Sequence, residues 1–416
     1  MGDVAVTFTD PRAELQAESA TLVLRFADVG VATYVSLRVV GEPSKTVTWV
    51  IEEAALHAAL EELTRALPDP IDGENRRDAL ERAITKGAFA SPATELTIAC
   101  ALGTHLIAPE AWQLLVDSVS SPTAALFVSP SARLARVPWG LIAMPGDDGH
   151  RLIELVDVLM AAPPNIVHSP RAPAGWGGRR NEPPLLVLDP RVPGQRPDSA
   201  LGSVLGRPSS DTPLAKHFGE LMAVRDVLPD VATSVDLFRR ADADRAWLKE
   251  LLAQGPSRLL YVGHATAADG DVGHADRAAL HLADDRPLTA SDLMSLKLPL
   301  PPRVGLLACA SGGDYRFDEA TGLVAAMILG GAELVTATLW SLPTAAGYRL
   351  FAPTTADVDP MAEAILAVDR AHEAGDAGRT VNSWQREQMR RWSDGDLTAS
   401  PLYWAALATF AVDGAR

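Results

Sequence analysis

The chain has 416 residues, 47% of them hydrophobic and 22% charged, with 31 glycines and 31 prolines; this globular composition excludes a disordered or fibrous protein and suits two sizeable domains. With 37 basic against 53 acidic side chains the formal net charge is −16, a field that repels phosphate backbones and anionic bilayers and excludes nucleic acid and membrane surfaces as expected partners. Two cysteines, Cys100 and Cys309, are too few for a disulfide framework and lack the paired spacing of a thiolate zinc site, which points to a reducing compartment.

The opening Met1-Gly2-Asp3-Val4 carries neither a basic nor an apolar segment of a secretion signal, so a cytoplasmic location is expected. Residues 20–26 and 33–40 alternate apolar with polar around Asp28-Val29-Gly30, a hairpin signature. From Ile51 the period changes: Leu56, Ala59, Leu60, Leu63 and Leu67 recur at helical spacing until Pro68 and Pro70 stop the helix, and further helices are predicted over 76–86 and 95–108. At 124–128 an unbroken apolar run suits a strand buried on both faces, and four more follow at 185–188, 259–262, 304–307 and 334–339. Helical patterns at 214–227 and 319–330 fall between them, which predicts a mostly parallel α/β sheet flanked by helices. The expected organisation is therefore a small α+β domain over 1–118 and an α/β domain over 119–416. The Pro-, Gly-, Arg- and Ser-rich stretches 163–184 and 190–213 read as long surface loops. Residues 321–340 reach the length of a membrane span, but Glu333 and Gly330-Gly331 divide them into a helix and a strand, and no transmembrane segment is expected. No fixed-period repeat is present.

Open α/β sheets bind ligands beyond the carboxyl ends of their strands. Two ends carry chemistry: 259–262 runs into Gly263-His264-Ala265, and 304–307 runs into Ala308-Cys309-Ala310-Ser311-Gly312. If those strands are neighbours, a histidine faces a cysteine, the one able to serve as base and then acid, the other as thiolate nucleophile, which is sufficient for acyl transfer. Gly263, Ala265, Ala308 and Gly312 leave room for a peptide backbone and for backbone N–H groups to meet an oxyanion. A free cysteine after an apolar strand is also commonly a small buried hydrophobe, so the residues alone leave both readings of Cys309 open. Cys100, inside the apolar helical face Thr97-Ile98-Ala99-Cys100-Ala101-Leu102, reads as core. Asp269, Asp271 and Asp276 read as a solvated loop rather than a metal site, His274 and His281 as loop and hairpin residues, and Trp139 as core packing; Ser311 has no strand end of its own.

Further motifs recur in order: Arg133-Leu134-Ala135-Arg136-Val137-Pro138-Trp139, Val262-Gly263-His264-Ala265, Leu280-His281-Leu282 with Leu288-Thr289-Ala290-Ser291-Asp292-Leu293, Leu307-Ala308-Cys309-Ala310-Ser311-Gly312, Leu339-Trp340-Ser341, and Ser400-Pro401-Leu402-Tyr403-Trp404-Ala405. Caspases carry Gln-Ala-Cys-x-Gly about fifty residues after their histidine, and here the two are 45 residues apart. Over residues 120–413 the chain more closely resembles a bacterial branch of the caspase-like peptidases, the CHAT domain family. The resemblance implies a caspase-like α/β fold and a cysteine endopeptidase with Cys309 as nucleophile and His264 as general acid/base. The oxyanion would be held by the backbone N–H groups of Cys309 and Ala265, and Trp340, Ser341 and Leu342 would border the substrate pocket; no cofactor and no metal are implied. Leu307, Ser311 and Thr344 depart from the relatives' pattern, so a preference for aspartate or for basic side chains is not implied, and the apolar lip of Trp340 and Leu342 leaves a hydrophobic preference open. The implied partners are a protein substrate, with a dedicated effector among the candidates, and an activating partner; the self-contained hairpin-and-helix pattern of residues 1–115 separately suggests that this region docks a regulator, a partner or a second copy of the chain. Two rival classes stand beside this reading. One is a silent caspase-like scaffold, for which retention of both dyad residues has no use; the other is an acyltransferase or thioesterase, for which no Gly-rich phosphate loop follows a strand.

Overall fold

The computed structural model describes residues 20–71, 73–119, 124–146, 149–170, 173, 175–197, 199, 201–266, 275–308, 322–352 and 358–412. The chain opens with β1 (Thr21–Val29), β2 (Ala32–Val39) and β3 (Thr46–Glu52), followed by the helices Glu53–Ala66, Arg76–Thr85, Pro92–Leu106 and Pro109–Ser118. There follow β4 (Ala125–Ser129), β5 (Asp157–Ala161), β6 (Leu185–Leu188), β7 (Arg258–Gly263), the short β8 (Ala265–Thr266), β9 (Ala279–Leu280) and β10 (Leu288–Thr289), then β11 (Arg303–Ala308), β12 (Leu334–Thr338) and β13 (Leu407–Ala411).

Ten strands build one sheet in the order β3-β2-β1-β4-β5-β13-β12-β11-β7-β6, and β10-β9-β8 form a small second sheet. From β12 to β6 all neighbours are parallel, as they are from β13 to β1; the two halves meet antiparallel at β12–β13. Every residue of β6, β7, β11 and β12 is buried, which is why these strands read as unbroken apolar runs: helices cover both faces. β1 instead alternates, burying Leu22, Leu24 and Phe26.

The expected hairpin is a three-stranded meander, with β3 added on the outside of β2. β1 pairs in parallel with β4, Thr21 opposite Ala125, so residues 20–52 extend the same sheet and share its core. The change of pattern near residue 119 marks no break in that sheet. Helix ends follow local chemistry: Asn75 and Ser91 accept from backbone N–H groups of the first turns they cap, and Pro92 occupies the first turn of its helix, where its missing N–H costs nothing.

β5 and β13 share only the pairs Phe410–Met160 and Ala411–Ala161. The groups this short ladder leaves over are met by side chains of the helix Ala377–Ser393: Asn382 accepts from Val158 N–H at 2.9 Å and donates to Val158 O at 3.1 Å, and Gln385 donates to Trp404 O and Leu407 O at 2.7 and 3.0 Å. At the far end of the other half, Arg258 and Arg303 begin β7 and β11. Arg258 bonds the fully buried Asp369 carboxylate at 2.9 and 3.1 Å, His217 bonds it at 2.8 Å, and Arg303 donates to His372 O at 2.8 Å. These contacts tie the strand starts to the helix Pro360–Glu373 and so hold the opposite, carboxyl ends level. Among the described residues no helix is long and apolar enough to cross a membrane.

Candidate functional site

β7 and β11 are direct parallel neighbours, and their register pairs Val262 with Leu307 and Gly263 with Ala308. The next residue on one strand is His264 and on the other Cys309. Adjacent strands lie about 4.8 Å apart, so Gly263 and Ala308, the last residues of β7 and β11, stand side by side. Cys309 itself lies outside the described residues, as do Ser311, Asp269, Asp271 and His274. The end of β11 is fixed from the other side, where the buried Thr338 hydroxyl on β12 donates to Ala308 O.

His264 is half-buried, with its ring Nε2 3.0 Å from the carbonyl oxygen of Gly202. A carbonyl can only accept, so this contact puts the proton on Nε2 and leaves Nδ1 as the acceptor of the neutral ring. The backbone of His264 is held as well: its carbonyl accepts from His281 N–H at 3.0 Å, and the Tyr261 hydroxyl lies 2.8 Å from both the His264 and the His281 carbonyl oxygens, sharing one proton between them.

Ala265 opens β8, opposite Leu280 on β9. The bond from His281 N–H to His264 O identifies Ala265 and Leu280 as a non-hydrogen-bonded antiparallel pair. The Ala265 N–H therefore points away from β9. His281, read from sequence as a hairpin residue, follows β9; its ring bonds Thr266 Oγ1, and burial, reinforced by the neighbouring His264, pushes its imidazole below the usual histidine range. The motif after it is a capping box: Thr289 Oγ1 accepts from Asp292 N–H at 2.9 Å and Thr289 N–H donates to the Asp292 carboxylate at 3.2 Å.

Of the three residues expected to border a substrate pocket, Trp340 is fully buried. Its indole N–H donates to Leu402 O at 3.0 Å and its ring packs 6.1 Å from that of Phe89. The indole is core, and Ser341 and Leu342 are the ones that keep exposed surface after β12. Trp139 is buried against Phe26, as expected of core packing. Cys100 is half-buried with a thiol that burial pushes up, away from reactivity. Among the described residues no His, Cys, Asp and Glu side chains group so as to hold a metal ion.

Sequence reasoning missed Gly202. It lies in the stretch expected to be a surface loop, yet its carbonyl is the acceptor for His264. A Cβ there would fall 2.3 Å from Pro197 O and 2.6 Å from Arg196 O, so only glycine allows the loop to fold this tightly. A glycine within a loop of already high glycine content gives no signal of that role.

Two crystal structures of the Saccharomyces cerevisiae separase–securin complex resemble the fold at low similarity, with 11% and 10% identity and TM-scores of 0.47 and 0.45. They cover 95% and 94% of this chain and 30% of those chains, so this protein spans under a third of their length. No curated protein sequence matches the chain. The sequence model of the CHAT domain matches residues 96–414, well over half of the chain, and with this match the protein belongs to the CHAT domain family.

Proposed function

We propose that the protein is a caspase-like cysteine endopeptidase in which Cys309 is the nucleophile and His264 the general acid and base. The observation that carries this reading is the register of β7 and β11, which ends both strands at the same level immediately before the two residues. The bond from His264 Nε2 to Gly202 O supports it further, because it leaves Nδ1 free of a proton in the neutral ring. In the proposed reaction the imidazole takes the thiol proton and the thiolate sulfur adds to the scissile carbonyl carbon. The oxyanion lies against backbone N–H groups of Ala265 and Cys309, and the imidazolium returns the proton to the departing amine. Water then hydrolyses the thioester with the same imidazole as base. Ser341 and Leu342 border the pocket for the residue before the cut, with Trp340 as its buried support. The substrate is a protein, recognised or made accessible through an activating partner, and the cytoplasm is the setting that the reduced cysteines suit.

The test is intact-mass labelling of the full chain with peptide-based thiol-directed electrophiles carrying a panel of side chains at the position before the reactive carbon. Labelling of wild type that vanishes in Cys309→Ala and slows strongly in His264→Ala is the expected result. Equal rates in wild type and His264→Ala, with candidate partner proteins present, refute the dyad and leave a binding scaffold.

A further inference from the structure

The loop that supplies the Gly202 carbonyl is built around a charge that neither the strand pattern nor the proposed chemistry uses. Asp189 follows β6, its N–H donating to Val262 O at 2.6 Å, and its carboxylate is fully buried. Burying a carboxylate is unfavourable unless donors surround it. Here it accepts from Ser203 Oγ at 2.6 Å, Val204 N–H at 3.2 Å, Leu205 N–H at 3.4 Å and Arg239 Nη1 at 3.4 Å. Three of those donors belong to the residues immediately after Gly202. The fourth reaches further: Arg239 Nη1 also donates to Gly202 O at 3.1 Å. One carbonyl oxygen is thus shared by the His264 imidazole and by a guanidinium that is itself paired with Asp189.

Backbone strain is concentrated on the same two residues. Asp189 (φ 52°) and Arg239 (φ 54°) both hold left-handed conformations, which are unfavourable for a residue that carries a side chain. Among the described residues the other non-glycine with positive φ is Lys297, at a helix end. Arg239 N–H is bonded to Leu188 O at 3.1 Å, so its backbone is tethered to β6, the strand that carries Asp189.

We infer that Asp189 is a positioning residue for His264, acting through Arg239 and the 202–205 turn to aim the Gly202 carbonyl at Nε2. This rests on the Cys309–His264 reading. The carboxylate has two tasks. Its bonds to residues 203–205 fix the direction of the carbonyl, and its charge balances the guanidinium. The distances from the shared oxygen put Arg239 Nη1 within ~6 Å of Nε2, where an uncompensated cation opposes the positive charge the imidazole takes up during the reaction.

The experiment compares wild type, Asp189→Asn, Arg239→Gln, His264→Ala and the double variant Asp189→Asn/His264→Ala. It reads the rate of Cys309 labelling by a peptide-based thiol-directed electrophile, the 15N shifts of the imidazole assigned to His264, and thermal melting. Asp189→Asn is expected to label about tenfold more slowly, a fraction of the 10²–10⁴ that a positioned base supplies, to lose the Nε2-protonated signature, and to cause no further slowing once His264 is alanine. If Asp189→Asn does not fold, Arg239→Gln, at a less buried residue, removes the donor that links Asp189 to Gly202 O together with its charge, and is expected to weaken the Nε2-protonated signature with a smaller slowing of labelling. Wild-type labelling that depends on His264 together with an unchanged rate and tautomer in both variants overturns this inference alone. Equal slowing with and without His264 also overturns it, showing a purely structural role. Wild-type labelling indifferent to His264 overturns the dyad itself.

Discussion

His372 provides a quantitative test of the packing behind the sheet. It lies on the helix Pro360–Glu373, fully enclosed, with its Nε2 2.8 Å from the Thr336 hydroxyl of β12. Burial, aided by the positive charges of Arg303 and Arg258, pushes its pKa down to about 3, whereas the unfolded chain titrates near ~6.5. The folded protein therefore binds fewer protons than the unfolded one between these values. Its stability is unaffected above pH ~6.5, falls as the pH drops below that, and stops falling on this account only near pH 3. At pH 5 the unfolded imidazole is almost wholly protonated and the folded one is not, which favours unfolding by about 2 kcal/mol relative to pH 8. Equilibrium urea unfolding of wild type and His372→Gln at both pH values reads this directly. The glutamine keeps a partner for Thr336 and carries no titrating group, so its loss of stability on acidification is expected to be smaller by about 2 kcal/mol. Identical losses in the two proteins would refute the argument, since every other titrating group is common to both.

Two further outcomes follow from the same structure. Burial raises and the adjoining Arg258 and His217 lower the pKa of the Asp369 carboxylate, with a net depression, so Arg258→Met leaves this buried charge with the His217 ring as its remaining partner among the described residues and is expected to destabilise by about 3 kcal/mol; Arg258→Met/Asp369→Leu recovers most of that loss in thermal melts, and a double variant as weak as the single one contradicts the account. Because burial pushes the half-buried Cys100 thiol up, peptide mapping after brief electrophile treatment at pH 7 is expected to find the adduct at Cys309 and not at Cys100, and preferential modification of Cys100 counts against this assignment of the two thiols.

The half of the sheet that bears the candidate site was legible because its strands are buried on both faces and so appear as apolar runs. β6, β7, β11 and β12 all fall where such runs stand. β5 and β13 went unread for different reasons. β5 begins at the buried Asp157, which looks like a surface residue until Arg379 and Arg386 are seen to meet it at 2.8 and 2.7 Å. β13 is short and follows directly on an aromatic helix, Pro401–Trp404, so that no change of period announces it. At the candidate site, the histidine and cysteine of the proposed dyad stood out in sequence after two strands, but the register of those strands is a tertiary fact. Asp189 was within reach of a sequence argument, as an acidic residue directly after an apolar strand. Gly202 was not, because its task is a direction of the backbone and any glycine can supply a tight turn.

The position of β13 has a consequence for folding. Among the described residues it is the last strand in sequence and the sixth of ten across the sheet. Without β13 the strands of this sheet fall into two groups, β3-β2-β1-β4-β5 and β12-β11-β7-β6, that do not pair with each other. Residues 407–411 join the two groups into one sheet by pairing with β12 on one side and, about 250 positions back along the chain, with residues 160–161 of β5 on the other, and contacts between such distant segments form late in folding.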